Sequence, residues 1–545
     1  MDPLREALLA IARDLGAPDL DIQLERPRED AHGDLSSNLA LQLAGRLGRK
    51  PRDVAREIVT RLRLPPGVVE KMEIAGPGFI NFFLAGTALA AVVRAVLGAG
   101  AAYGTSQVGR GVKVNVEFVS ANPTGPLHVG HGRGAALGDA VASLLEATGH
   151  EVTREFYVND AGVQIDRLAR SLWARVQQRA GRPAAIPEGG YHGEYLIELA
   201  AALLEREGNA FADLPEAEAL ARCRAEALAT QRAEQDRDLD EFGVRFDVVS
   251  SELDLYAGDR LVETLADLAA HGLSYERDGA LWLATSRFGD EKDRVIRKQD
   301  GTYTYFLPDI AYHRDKARRG FHRAIDVWGA DHHGYVARMQ AAMVGLGLAP
   351  DFFAAVLVQL VRVMRGGEEV RFSKRSGDFV TLRELYLETG VDAARYFFLS
   401  RRADSQFVFD VDLAKRQSEE NPIYYVQYAH TRIAGIFRNA GLDPAVVGPD
   451  FADPAPLTAD VEQELLKQLG RYPEVVARAA AELEPHRIIA YLEESARLVN
   501  AWYHHYRVLG EPAPVERARL MLARAVQLVL RNGLALLGIS APERM

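Results

Sequence analysis

The feature that most limits this fold is one junction. VKVNVEFVS, a β-branched run over 112–120, leads into NPTGPLHVGHGRG and then into the helical pattern AALGDAVASLLEATGH. A run this rich in valine, at 112, 114, 116 and 119, reads as a buried strand. Strand, glycine-rich turn and helix together form the nucleotide-binding unit of a doubly wound α/β domain. Further strands are expected at EVTREFYVND, GALWLAT, AIDVWGAD and FAAVLVQLVRVM.

Around this unit the 545 residues divide into three expected parts. Residues 1–108 read as a small α/β unit. Leu4, Leu8, Leu9, Ile11, Ala12 and Leu15 give it an amphipathic first helix, and a strand-like stretch turns at Gly76-Pro77-Gly78. Residues 109–420 carry the α/β domain, with a mostly helical insertion expected over about 163–270. Residues 421–545 read as all-helical. The first residues carry acids and alternate at helical spacing, so they do not read as a signal peptide. No apolar stretch is long enough for a transmembrane helix, and cytoplasmic residence is the default expectation. A single cysteine, Cys223, excludes an intramolecular disulfide and a multi-cysteine zinc site.

The net charge of −11 argues against nonspecific coating of nucleic acid. Its distribution is more informative. Residues 1–108 hold 13 basic and 13 acidic side chains, and residues 421–545 hold 13 and 14. The central segment therefore carries a net of −10. Nine lysines stand against 56 arginines, so a lysine inside a motif is an uncommon choice in this chain.

Two segments carry chemistry. His128-Val129-Gly130-His131 follows a strand and opens a helix, where backbone N–H groups and the helix dipole favour a phosphate. Two imidazoles there can donate hydrogen bonds as charge builds on phosphoryl oxygens, and Gly130 permits close approach of a nucleotide. Arg371-Phe372-Ser373-Lys374-Arg375-Ser376-Gly377 follows a glycine turn and precedes a helical pattern. Its cations suit a polyphosphate leaving group. Taken alone, each segment also fits a bland reading, as locally satisfied histidines or a solvated basic turn.

Together they resemble the HIGH and KMSKS signatures of class I aminoacyl-tRNA synthetases. VEFVSANPTGPLHVGHGRGAALGD, NDAGVQID, YFLPDIAYH, VWGADHHGY, SKRSGDFVTLRELYLETGVDAARYFFL and GLALLGISAPERM are similar to the arginyl-tRNA synthetase family over essentially the whole chain. The resemblance implies a Rossmann-like catalytic domain, a small N-terminal α/β domain and an all-α anticodon-binding domain. It implies ATP with Mg²⁺, L-arginine and tRNA(Arg) as partners, no structural metal, no membrane, and a monomer. In the family's reaction the arginine carboxylate attacks the α-phosphate of ATP, and the arginyl group then passes to the 3′ end of the tRNA.

Carried over residue by residue, the resemblance implies catalytic roles for His128, His131, Lys374 and Ser373. ATP contacts are implied for His128, Gly130, His131, Gly132, Lys374 and Arg375. Asp309 is implied to take the guanidinium with Tyr305 walling it, and Glu117, Asn122 and His332 complete the arginine pocket. Asn159, Asp160 and Gln164 are further pocket candidates. Phe79 and Asn81 are implied to meet a D-loop base, and Tyr424, Tyr428, Arg432 and Met545 the anticodon side. Arg371 and Phe372 depart from the first two positions of the KMSKS pattern. Arginine keeps the charge of lysine but not its compact shape. Two rivals remain at this level: a tRNA-independent adenylyltransferase, and a synthetase-like paralogue that binds tRNA without catalysis.

Overall fold

The computed structural model describes residues 2–20, 22, 24–27, 29–160, 162–370 and 380–545. At its centre five parallel strands form one sheet: β1 (Lys113–Glu117), β2 (Glu151–Val158), β3 (Val248–Ser251), β4 (Arg323–Gly329) and β5 (Phe353–Val358). Their spatial order is 3-2-1-4-5. Strand order reverses between β1 and β4, and such a switch point is where doubly wound sheets bind ligands. Val114, Asn115 and Val116 are fully buried, as a central strand covered on both faces requires. The helix Val129–Ala147 returns across the sheet. It lies so close that a Cβ on Gly138 would come within 2.1 Å of the Phe118 ring.

The structure departs from the sequence reading in three places. Val248–Ser251 lies inside the segment expected to be a helical insertion, yet it pairs with β2 as the sheet's edge strand. It is a short run flanked by long helical patterns, so periodicity could not separate it. GALWLAT forms Ala280–Leu283 in a separate three-stranded antiparallel sheet. FAAVLVQLVRVM splits at Gln359, whose N–H bonds Ala403 O, and Val361–Arg365 joins another small sheet beside Phe407–Asp410.

The first 84 residues build their own core on Leu4, Leu8, Val54, Ile58, Ile80 and Phe82. The helix Gly86–Ala99 follows within the expected 1–108 unit, but it buries Leu89, Val93 and Val96 in the larger core shared by the sheet and the C-terminal helices. Helices Val163–Arg179, Glu194–Glu207 and Glu216–Glu241 form a satellite with a separate core that contains Cys223. The C-terminal helices are Pro422–Ala440, Asp460–Ala481, His486–His505 and Ala513–Leu536. A buried arginine locks them to the catalytic unit. Arg395 donates to Leu537 O, Phe242 O and Asp139 Oδ2 at 2.9, 3.2 and 2.5 Å. Among the described residues no helix is long and apolar enough to cross a membrane.

Candidate active site

The chain turns sharply as it leaves β1. Val119 and Ser120 take φ of 67° and 38°, left-handed values that cost a side-chain-bearing residue about 1–2 kcal/mol each. The Ser120 hydroxyl holds the turn by donating to Glu117 Oε1 at 2.9 Å and accepting from the Tyr157 N–H at 3.1 Å.

The helix Val129–Ala147 then begins with His128 as its cap. The His131 N–H donates to His128 Nδ1 at 3.1 Å, and the His128 N–H donates to His131 Nδ1 at 3.3 Å. Their rings stack with centroids 3.6 Å apart. Because Nδ1 accepts in both, the proton of each neutral ring sits on Nε2. Burial holds both imidazoles below the usual histidine value, His131 the more strongly. Two uncharged N–H donors therefore stand at a helix N-terminus, where developing negative charge is favoured. A Cβ on Gly130 would lie 2.9 Å from His128 Cε1, so glycine is what lets the ring fold over the helix start. Gly132 does not face the ligand side as expected. It packs into the core, where a Cβ would meet Leu382 Cδ1 at 2.5 Å and Phe398 Cε2 at 3.1 Å. A cleft of about 310 Å³ runs past Asn122, Gly125, His128 and His131 to Gln164 and His192 of the helical satellite.

Arg371, Ser373, Lys374 and Arg375 lie outside the described residues, but the chain just after them is placed. Val129 N–H donates to Val380 O at 3.2 Å, and Leu382 N–H donates to Leu127 O at 2.8 Å. Thr381 caps the helix Leu382–Thr389, its hydroxyl accepting the Glu384 N–H at 3.1 Å. Backbone hydrogen bonds thus tie 127–129 to 380–382, remote in sequence.

Beside them lies an acidic pocket. Asp326, Glu117 and Glu155 are register neighbours on β4, β1 and β2, so three buried carboxyl groups share one face of the sheet. The helix Phe306–Arg318 covers that face. Lys316 Nζ donates to Glu117 Oε2 at 2.5 Å and Asp326 Oδ1 at 3.0 Å, and His313 Nε2 lies 2.7 Å from Asp326 Oδ2. Arg319 donates to both oxygens of Glu155, at 3.1 and 2.9 Å. Burial opposes charge on Asp326, but Lys316 and His313 outweigh it and hold this carboxyl at about 2.

Asp309 stands in the first turn of the same helix. Tyr305 occupies the capping position, so capping does not explain Asp309. Its carboxylate accepts from the Tyr335 hydroxyl, and burial pushes it up to about 6. Glu252 is buried nearby and is pushed up by burial and by the charges of Asp309 and Asp160. Asp160 itself accepts from Ser251 Oγ at 2.6 Å and Leu253 N at 3.1 Å. Buried carboxyl groups raised by burial and by neighbouring carboxylates make a site that suits a cationic ligand. Asn122 is held by Gln164 Oε1 at 2.6 Å. Tyr305 is 85% exposed, and His332 is turned to Asp331 at 3.5 Å, so neither closes on the pocket.

Residues 92–431 match the family described as tRNA synthetases class I (R), catalytic domain. Residues 2–84 match the arginyl tRNA synthetase N terminal domain, and 426–545 the DALR anticodon binding domain. An arginine–tRNA ligase of Geobacillus kaustophilus is 49% identical over 526 residues, covering 96% of this chain and 94% of the relative. One of Bordetella pertussis is 50% identical over 548 residues, covering 98% and 97%.

The chain belongs to the arginyl-tRNA synthetase family.

Solved structures agree with that membership. The arginyl-tRNA synthetase of Thermus thermophilus superposes with a TM-score of 0.78 at 25% identity over 99% of each chain. A putative arginyl tRNA synthetase of Campylobacter jejuni gives 0.78 at 35% identity, covering 85% of this chain and all of the other. A single-domain adenylyltransferase has no use for the anticodon-binding domain this family carries.

Within the synthetase frame the outlying candidates fall on two faces. Phe79 opens the strand Phe79–Leu84 and is 37% exposed, whereas Asn81, on the same face, is buried. Tyr424 and Tyr428 stack at 5.7 Å on the helix Pro422–Ala440, and the Arg432 guanidinium lies 4.4 Å over Tyr428 and 5.4 Å over the exposed Tyr503. Arg432 also donates to Asn500 Oδ1 at 2.6 Å. The terminal residues are pinned to that helix through His430 and Thr431, both bonded to Pro542 O at 2.9 Å, which leaves Met545 half exposed.

Sequence reasoning missed Lys316, His313, Glu252 and Tyr335. One signal was available for the first two. Asp309, His313 and Lys316 recur at i, i+4 and i+7, a polar stripe on a helix that is otherwise buried.

Proposed function

We propose that this chain activates L-arginine with ATP to arginyl-adenylate and transfers the arginyl group to the 3′ end of tRNA(Arg). The observation that carries this reading is the pair of reciprocal Nδ1 bonds between His128 and His131. They put the proton of each neutral ring on Nε2 at a helix N-terminus. The attacking arginine carboxylate is ionised at neutral pH, so no general base is required. The rate must come from holding carboxylate and α-phosphate in line and from stabilising charge on the phosphoryl oxygens.

In this reading His128 and His131 donate to those oxygens as the new bond forms, and Gly130 keeps the ring and nucleotide close. Lys374 neutralises the departing pyrophosphate, with Ser373 and Arg375 ordering its segment. ATP arrives as its magnesium complex, and the metal's charge supplies further neutralisation of the phosphates. Asp309 takes the guanidinium, with Glu252 adding field and Tyr335 fixing the carboxylate. Glu117 and Asn122 attend the α-ammonium end, and Tyr305 and His332 stand outside the pocket. Phe79 and Asn81 meet a base of the tRNA D-loop. Tyr424, Tyr428, Arg432 and Met545 meet the anticodon side by stacking and cation–π contact, the usual means of reading single-stranded RNA. The division into 1–108, 109–420 and 421–545, a monomeric state and cytoplasmic residence complete the proposal.

Arginine-dependent ATP–pyrophosphate exchange, measured with and without tRNA, is the test. Exchange that appears only with arginine and tRNA supports the reading. Exchange indifferent to arginine overturns it, and tRNA binding without any exchange makes the chain a non-catalytic paralogue.

A further inference from the structure

Lys316 is one of nine lysines in the chain, and its side chain is entirely buried. A buried ammonium is retained only where carboxylates surround it, and here the supply is unusual. Three carboxyl groups, Asp326, Glu117 and Glu155, lie side by side across adjacent strands at the sheet's switch point. Like charges in register repel, and burial strengthens the repulsion. The helix Phe306–Arg318 answers with three polar groups spaced three residues apart. His313 meets Asp326, Lys316 bridges Asp326 and Glu117, and Arg319, just past the helix end, takes Glu155.

This row does more than fasten a helix. His313 Nδ1 lies 2.8 Å from the backbone oxygen of Asp309, one turn earlier. A continuous buried path therefore runs from Asp309 through His313, Asp326 and Lys316 to Glu117. Its ends are the Glu117 carboxylate and the backbone of Asp309, whose side chain is assigned above to the opposite pole of the amino acid. Glu117 already spends one oxygen on Lys316 and the other on Ser120, so its position is set by those two bonds.

We propose that Lys316 is a positioning and specificity-determining residue: it fixes the distance between Glu117 and Asp309, so that the pocket measures the length of a doubly cationic amino acid. The proposal rests on the assignment of these two carboxylates to the arginine pocket. A pocket held at fixed length should reject homoarginine, which keeps both charged ends and adds one methylene. A merely structural lysine would not affect that discrimination.

The test uses the full chain with tRNA present. The ratio of kcat/KM for arginine to that for homoarginine is measured by ATP–pyrophosphate exchange in the wild type and in Lys316→Met. The expected result is at least a fivefold fall in the ratio and a tenfold rise in arginine KM, with ATP KM changed less than twofold. A ratio equal to that of the wild type in folded K316M, or an equal rise of both KM values, overturns the proposal. If K316M does not fold, Lys316→Arg keeps a buried cation for Glu117 and Asp326 but changes its length and shape. The same fall in ratio is expected, and an unchanged ratio overturns the proposal. Wild-type exchange indifferent to arginine would defeat the pocket assignment itself. Arginine-dependent exchange with an unaltered ratio in the variants would defeat only the role of Lys316.

Discussion

His128 and His131 each accept the other's backbone N–H at Nδ1, at 3.1 and 3.3 Å, while their rings stack. One nitrogen of each ring serves the helix start, and the proton of each neutral ring sits on the other. Asparagine mimics the near nitrogen and glutamine the far one. His131→Asn should keep the helix start and thermal stability but lower the rate of adenylate formation by about 10²-fold, the usual cost of one oxyanion donor. Single-turnover formation of arginyl-adenylate measures it, and a rate within threefold of wild type would remove His131 from the phosphoryl site.

Asp309 sits near 6, raised by burial. The guanidinium needs the carboxylate form, so arginine affinity should fall as the solution is acidified through that value. Between pH 7.5 and 5.5 the arginine dissociation constant should rise about fourfold, and binding should release protons. Isothermal titration in buffers of different ionisation heat reads both. A raised carboxyl is protonated more readily in the folded chain than in the unfolded one, so its ionised form opposes folding above about 6. Asp309→Asn should therefore raise Tm at pH 7.5 while it abolishes arginine binding. Unchanged affinity in this variant would refute the assignment.

Thr381 and Glu384 cap the helix that follows the lysine-bearing segment, and the residues on either side of Thr381 bond to Leu127 and Val129. Thr381→Ala should lose about 1 kcal/mol of stability. It should also slow adenylate formation more than it weakens arginine binding, because the joint between 127–129 and 380–382 loosens. Equal losses in rate and binding would argue against that joint. Lys374→Ala should show the same split more strongly, and an unchanged activation rate would free Lys374 of its role.

Arg395 is fully buried and joins the end of the last helix to Asp139. Arg395→Met leaves two carbonyls and a carboxylate short of a donor, and should cost about 3–5 kcal/mol in urea denaturation. A loss under 1 kcal/mol would mean that the apolar core alone docks the C-terminal helices.

Arg432 spans Tyr428, Tyr503 and Asn500 on the exposed side of the C-terminal unit. Arg432→Ala should raise KM for tRNA in aminoacylation by about tenfold, in line with loss of one stacked cation, and leave arginine KM alone. A change confined to arginine would place this face outside the tRNA interface.

Much of the molecule was legible from local pattern. The β-branched run, the glycine turn and the helix after it announced a doubly wound sheet, and HVGH fell at the helix start because only there do the spacing and the glycine make sense. Periodicity could not reveal Val248–Ser251, four residues between the long helix Glu216–Glu241 and the short helix Glu252–Tyr256, nor the split of FAAVLVQLVRVM between two sheets. The resemblance implies contact roles for Asn81 and Gly132, and only packing shows Asn81 buried and Gly132 turned into the core.

The sequence by itself determined the elements, the chemistry-bearing segments and the sign of the central field, because each is written in neighbouring residues. Tertiary structure alone decided that Asp326, Glu117 and Glu155 share a row and that Lys316 stands over it. Register between parallel strands is set by crossovers and core packing across the whole domain, and no local spacing of residues records it.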